Sequence, residues 1–183
     1  MNRLLQRPSG GNLLSDGDSK EVAVYILKQP EKISDLIEGL NEKEDVVRAR
    51  TADALEFISR KRPDLLKDQL PRLIELVVSD SVDKVRWHIA MIFANLEYED
   101  SQLADVLPAS FKMLENKSNM VKPWAISTLA ILGISHTDLK SEIVSHLKPL
   151  LSFSRPSVSN RAKKALWALE QNRPLPKGWQ KDR

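Results

Sequence analysis

Apolar residues recur along this chain in one repeated stripe. Val47, Thr51, Ala54, Leu55 and Ile58 fall at i, i+4, i+7, i+8 and i+11, and so do Val85, Ile89, Ile92, Phe93 and Leu96. Val121, Ala125, Thr128, Leu129 and Leu132 follow the same spacing, as do Val158, Ala162, Ala165, Leu166 and Leu169. That spacing predicts a helix with one wide buried face. The four openings are 38, 36 and 37 residues apart by subtraction of their numbers. Self-similarity at that period predicts a stack of like units. A second helix is predicted after each of the first three stripes, on Leu66, Leu70, Leu73, Ile74 and Val77, then Leu103, Val106, Leu107, Phe111 and Leu114, then Ile143, Val144, Leu147, Leu150 and Leu151.

Breakers separate these elements. Pro63 ends the helix before it, and Asp64 is placed to cap the next one. Ser79, Asp80 and Ser81 turn the chain into the following unit. Upstream, Asp18 or Ser19 can cap a helix carrying Val22, Val24, Tyr25, Ile26 and Leu27, and Pro30 opens a short one with Ile33, Leu36, Ile37 and Leu40. This pair reads as a degenerate first unit, and the stretch beginning near Arg155 reads as a last unit lacking a full second helix. The expected organisation is a polar, flexible segment 1–17, a repeat domain 18–172 and a basic tail 173–183. The units run at about 18–43, 44–81, 82–118, 119–154 and 155–172. A lone hairpin of this size cannot bury both apolar faces, whereas stacked neighbours bury them in a continuous core. Leu175 and Trp179 of the tail are placed to fold back over the exposed end, and Trp167 to seal it.

The units resemble HEAT repeats. The resemblance rests on an acidic turn, a Val-Arg pair and an Ala/Leu-rich helix. It reads Asp80-Ser-Val-Asp-Lys-Val-Arg86-Trp-His-Ile-Ala-Met-Ile-Phe-Ala-Asn-Leu96 and, earlier, Asp45-Val-Val-Arg48-Ala-Arg-Thr-Ala-Asp-Ala-Leu55. Pro71 and Pro108, 37 apart, lie in two second helices, and Pro149 is displaced in the third. The resemblance covers roughly residues 18–171. It implies an all-α fold, a right-handed α-solenoid of about five HEAT-like (armadillo-like) helical hairpins with the first and last degenerate. It also implies that Arg48, Arg86 and Lys122 form a structural ladder, pairing with acids such as Asp45, Asp80 and Asp83 or with loop carbonyls. In such arrays the second helices usually line the concave side.

Composition narrows the function classes. There is no Cys among the 183 residues, so thiolate metal sites and disulfides are excluded. The three His (His88, His136, His146) are too scattered for a metal cluster, and His88 and His146 read as surface side chains. The N-terminus has no apolar run of the secretory kind and no stretch is long enough to span a bilayer, so a cytoplasmic protein without membrane insertion is expected. Walker, dinucleotide-loop, His-Glu-x-x-His and Gly-x-Ser-x-Gly motifs are missing, so no catalytic residue, cofactor or metal is expected.

Two surfaces remain as candidates for binding. Asp68, Asp105 and Glu142 recur at steps of 37 outside the apolar stripe, flanked by Arg72, Lys112 and His146. They form a candidate partner-binding row, though carboxylates on adjacent packed helices, about 10 Å apart, are too far apart for an acid/base pair. The net charge of +3 is also uneven, because residues 155–183 hold eight cationic against two acidic side chains. Arg161, Lys163, Lys164, Arg173 and Lys177 make a candidate basic patch. Trp87 and Trp124 are placed at repeat edges. The expected function is a non-catalytic scaffold or adaptor that binds another protein, as a monomer. The first alternative is nucleic-acid binding through the basic end, since phosphate contacts need clustered Lys and Arg. One HEAT-like family of alkylpurine DNA glycosylases binds DNA in a concave cleft, but no motif of that family is matched here. A lyase or cofactor chaperone is the least supported alternative.

Overall fold

The computed structural model describes residue 13 and residues 15–179. Most of the expected segment 1–17 and the end of the tail therefore lie outside the described residues. Among the described residues the fold is all-α, with no strand. The chain divides into two compact units with the boundary between Glu97 and Tyr98, inside the stretch 82–118.

The first unit holds α1 (Ser19–Lys28), α2 (Ile33–Ile37), α3 (Asp45–Ser59), α4 (Leu70–Ser79) and α5 (Asp83–Phe93). Helix α3 is central and packs against α1 on one flank and α5 on the other, while α4 packs against α5. All five stripe positions of α3, from Val47 to Ile58, are buried. Ala49 and Ala52 on its flanks are buried too, and their small side chains let the neighbouring helices approach. Val85, Ile89, Ile92, Phe93 and Leu96 are buried in the same way. Between α3 and α4, residues Pro63–Gln69 form a 3-10 helix rather than the start of an α-helix. Pro71 has no N–H to give to Lys67 and sits in the first turn of α4, which starts only at Leu70. Asp64 accordingly caps nothing and pairs with Arg62 at 2.6 Å. Ser19 does not cap α1 either; its hydroxyl donates to Asp53.

The second unit holds α6 (Asp100–Met113), α7 (Val121–Ser135), α8 (Lys140–Leu147) and α9 (Pro156–Glu170). Helix α7 packs against α6, α8 and α9. From Val121 to Gly133 every residue but Trp124 is buried, so α7 is apolar nearly all round. Gly133 marks the tightest crossing, where a Cβ would stand 2.9 Å from Leu169 Cδ2. Helix α9 stops in a Schellman turn. Asn172 takes a left-handed φ of 49°, the Arg173 amide donates to Ala168 O at 3.0 Å, and Pro174 follows. Leu151 is 49% exposed, outside the core expected for it, because α8 ends at Leu147 and Lys148–Ser152 tightens into a 3-10 turn that shifts its register.

Candidate functional site

The predicted second-helix residues are spread over different elements. Asp68 is exposed in the 3-10 helix before α4, Asp105 is exposed on α6 and Glu142 is exposed on α8. None of the three pairs with a cation among the described residues. Their neighbours are engaged. Arg72 meets Glu75 at 2.6 Å and donates to Asn41 Oδ1 at 2.7 Å, and Lys112 pairs with Glu115. His146 donates from Nδ1 to Glu142 O at 3.0 Å and stacks on Phe111 with ring centroids 3.8 Å apart.

The three ladder positions have three different environments. Arg48 joins Asp80 at 3.0 Å and Asp45 at 2.7 Å, and donates to the Glu42 and Lys43 carbonyls. Burial would lower its pKa, but the hydrogen bonds and charges of Asp80 and Asp45 outweigh it and raise the value. Arg86 donates to the Asp80 carbonyl and lies 4.0 Å from Asp83. Lys122 makes no ion pair among the described residues, feeling Glu115 only as a more distant charge; its ammonium sits 4.5 Å from the Phe153 ring centroid. Burial first, and then the charge of Arg155, hold its pKa below the usual lysine value.

Helices α1, α3 and α5 bring together a polar cluster that composition and spacing did not reveal. Asp53 accepts from the Ser19 hydroxyl and lies 3.1 Å from His88 Nε2. His88 is 6% exposed, so it is a buried residue and not the expected surface side chain. Its Nδ1 lies 2.7 Å from Lys84 O. A carbonyl only accepts, so Nδ1 carries a proton. Nε2 then accepts from the Trp87 indole N–H, 3.3 Å away, when the ring is neutral, and donates to Asp53 when it is charged. The buried Lys84 ammonium reaches Asp16 at 2.6 Å and the carbonyls of Leu13 and Ser15. Arg50 also donates to Ser15 O. Gly17 is required beside it, because its φ is +53° and a Cβ would meet Arg50 Cζ at 2.7 Å. The partners come from helices at unequal offsets within the repeat, so no single period finds them.

At the other end of the chain the basic residues separate. Lys163, Lys164, Arg173 and Lys177 are exposed. Arg161 is not a free member of that patch. Its guanidinium lies 4.7 Å from the Trp124 ring centroid and 5.1 Å from that of Trp179. Burial there pushes its pKa below the usual guanidinium value. Trp179 is 6% exposed and Trp167 is 56% exposed, so it is Trp179 that is packed and not Trp167. Trp167 lies on the outward face of α9, where it carries the Arg173 guanidinium at 5.8 Å.

No family model matches the chain, and no curated protein matches it. Its backbone is similar to a crystal structure of an engineered protein from the Northeast Structural Genomics Consortium. The TM-score is 0.63 at 18% identity, over 94% of this chain and 80% of that one. A second engineered protein from the same consortium superposes with a TM-score of 0.62 at 21% identity, over 91% of this chain. This chain spans 42% of that second protein's length. At such identities the likeness is one of fold.

The Asp53–His88 pair has the chemistry of an orienting carboxylate and an imidazole, but both ring nitrogens are occupied and the ring is buried. No group of three or more His, Asp or Glu side chains among the described residues is arranged to hold a metal ion. No helix among them is long and apolar enough to cross a membrane.

Proposed function

We propose that the chain is a HEAT-like α-solenoid of about five units that acts as a non-catalytic scaffold, binding another protein on the outward face of its second helices. One observation carries this reading. The opening valine of every stripe, Val47, Val85, Val121 and Val158, is 0% exposed, so the repeated positions are consumed by packing. The charged residues outside the stripe, Asp68, Asp105 and Glu142, are left in solvent with no cation partner among the described residues. A side chain that stabilises nothing within its own chain is free to recognise another. Stacking on Phe111 holds the His146 ring in place beside Glu142, and such rigid aromatic groups lose little entropy on binding.

Charge reversal tests the reading. The full chain carrying Asp68→Lys, Asp105→Lys and Glu142→Lys is compared with the parent in capturing its native partner by chemical crosslinking and mass spectrometry. Loss of at least about tenfold in capture, with an unchanged melting temperature, is expected from charge reversal at an interface. Undiminished capture by the triple variant would exclude these residues from the interface.

A further inference from the structure

The C-terminal ends of α7 and α9 enclose a cavity of about 330 Å³. Gly133, Ile134, Leu169 and Pro174 supply its apolar lining, and the two charged residues that line it, Lys140 and Arg173, are both cations. Helix C-termini ordinarily repel an anion. Here three of the end carbonyls accept internal hydrogen bonds, His136 donating to Leu132 O at 2.7 Å, Gln171 to Trp167 O at 3.1 Å and Arg173 to Ala168 O at 3.0 Å, and the two full cationic charges outweigh the partial charges of the rest. Lys140 donates one hydrogen bond, to Asn172 Oδ1 at 2.9 Å, which fixes its ammonium at the mouth. Two of its three donors remain available among the described residues. Arg173 faces no carboxylate among them and rests on Trp167. Ile134 of the lining is 41% exposed, and the 56% exposed Trp167 adjoins the cavity through Arg173, whose guanidinium lies 5.8 Å from its ring centroid. An exposed Trp beside an Arg at a cavity mouth has the composition of an interface anchor.

We propose that this cavity and its rim dock an acidic peptide segment of a partner protein, with one bulky apolar side chain in the cavity and carboxylates against Lys140 and Arg173. The proposal rests on the protein-binding reading above but places a contact on a different surface. Volume and charge both suit this occupant. The cavity lies at the small end of the range of about 300 to 1,000 Å³ for ligand sites and has room for one or two bulky side chains. Nucleic acid satisfies the cations but brings polar-edged planar bases, rather than an aliphatic or benzyl side chain, to the apolar lining. The exposed Lys163, Lys164 and Lys177 extend the same positive field along the segment from Arg155 and favour an acidic ligand.

The test titrates the full chain into a fluorescein-labelled peptide with a central Phe flanked by Asp and Glu, read by fluorescence anisotropy at low salt. Saturable binding is expected. It weakens at least about tenfold, or 1.4 kcal/mol, for each of Arg173→Glu, Ile134→Glu and a peptide with Phe replaced by Ala. Lys140→Gln, which can keep the bond to Asn172, weakens it less than Lys140→Glu. Asp105→Lys with Glu142→Lys leaves it unchanged. Three results would overturn the proposal: no saturation, equal affinity for the Ala peptide, or tighter binding of a charge-matched single-stranded oligonucleotide that is lost on the same substitutions. If the peptide fails while the second-helix variant still loses its native partner, this inference falls alone. If the peptide binds as expected while that variant keeps its partner, the second-helix reading falls alone.

Discussion

The two compact units solve the same packing problem with different materials. In the unit ending at Glu97, the helices bury Arg50, Glu56, Asp80, Lys84 and His88. In the unit beginning at Tyr98, the buried polar and charged residues are Ser110, Lys122, Ser127 and Thr128. Ser127 and Thr128 simply donate back to carbonyls one turn earlier on α7. The first unit therefore couples its helices through specific pairs, such as Asp53 with His88 and Arg48 with Asp80. The second couples them through volume and closes with an indole–guanidinium–indole stack. Apolar packing tolerates small rearrangement, whereas a buried charge separated from its partner has nowhere to go.

The largest effect is expected in the apolar unit. Leu129→Ala in the centre of α7 should cost about 3 kcal/mol in urea unfolding, as fully buried leucines do. A loss below about 1 kcal/mol would show that the site collapses onto the gap and that the second unit is loosely packed.

Trp179→Ala should cost about 2 kcal/mol, because it empties a buried site and removes one of the two rings stacked on Arg161. Trp167→Ala, on the exposed face of α9, should cost far less. Equal effects in thermal unfolding would mean that the tail does not hold its end of the chain.

The polar cluster adds a pH dependence. Burial pushes the Asp53 pKa up, but the hydrogen bond and charge of His88, the Ser19 hydroxyl and the Lys84 charge together bring it below its ordinary 3.8. A carboxylate depressed in the fold adds stability that is complete above its unfolded pKa and is lost as pH falls through the lower folded value. Asp53→Asn should therefore cost about 1–2 kcal/mol at neutral pH, and less and less as the pH drops below about 4. Parallel stability curves for parent and variant between neutral pH and pH 2 would sink this account.

The smallest effect has the opposite sign. Lys122→Met removes a buried ammonium that makes no ion pair among the described residues, and should leave stability unchanged or raise it. Arg48→Met, at the equivalent repeat position, should lose about 1–2 kcal/mol with its bonds to Asp80 and Asp45. If both changes cost the same in denaturant unfolding, the ladder positions are equivalent after all.

The helices were legible because their signal is local. Val85, Ile89, Ile92, Phe93 and Leu96 mark a buried face without reference to anything distant. Pro63 announced a break, but not that the following stretch would take a 3-10 form. That form takes Asp68 off the α-helical register assumed for its row. Where a side chain's environment depends on the far end of another helix, the pattern was silent. His88 is drawn into the core by Asp53, and no spacing rule links the two. Trp179 was placed correctly over the end. Its burial against Arg161, which removes that residue from the basic patch, became visible only with the tail in position.

The grip of Lys84 and Arg50 on the stretch around Ser15 has an evolutionary consequence. Besides the Asp16 carboxylate, they hold peptide oxygens, Leu13 O and Ser15 O. A peptide carbonyl is the same whatever residue bears it. The Leu13 side chain can therefore be exchanged with little penalty, whereas the Ser15 hydroxyl oxygen accepts from the Gly17 amide at 3.1 Å and Gly17 holds a left-handed φ of +53°. A catalogue of tolerated substitutions would make Leu13 look dispensable, although deleting it would take an acceptor from a buried lysine.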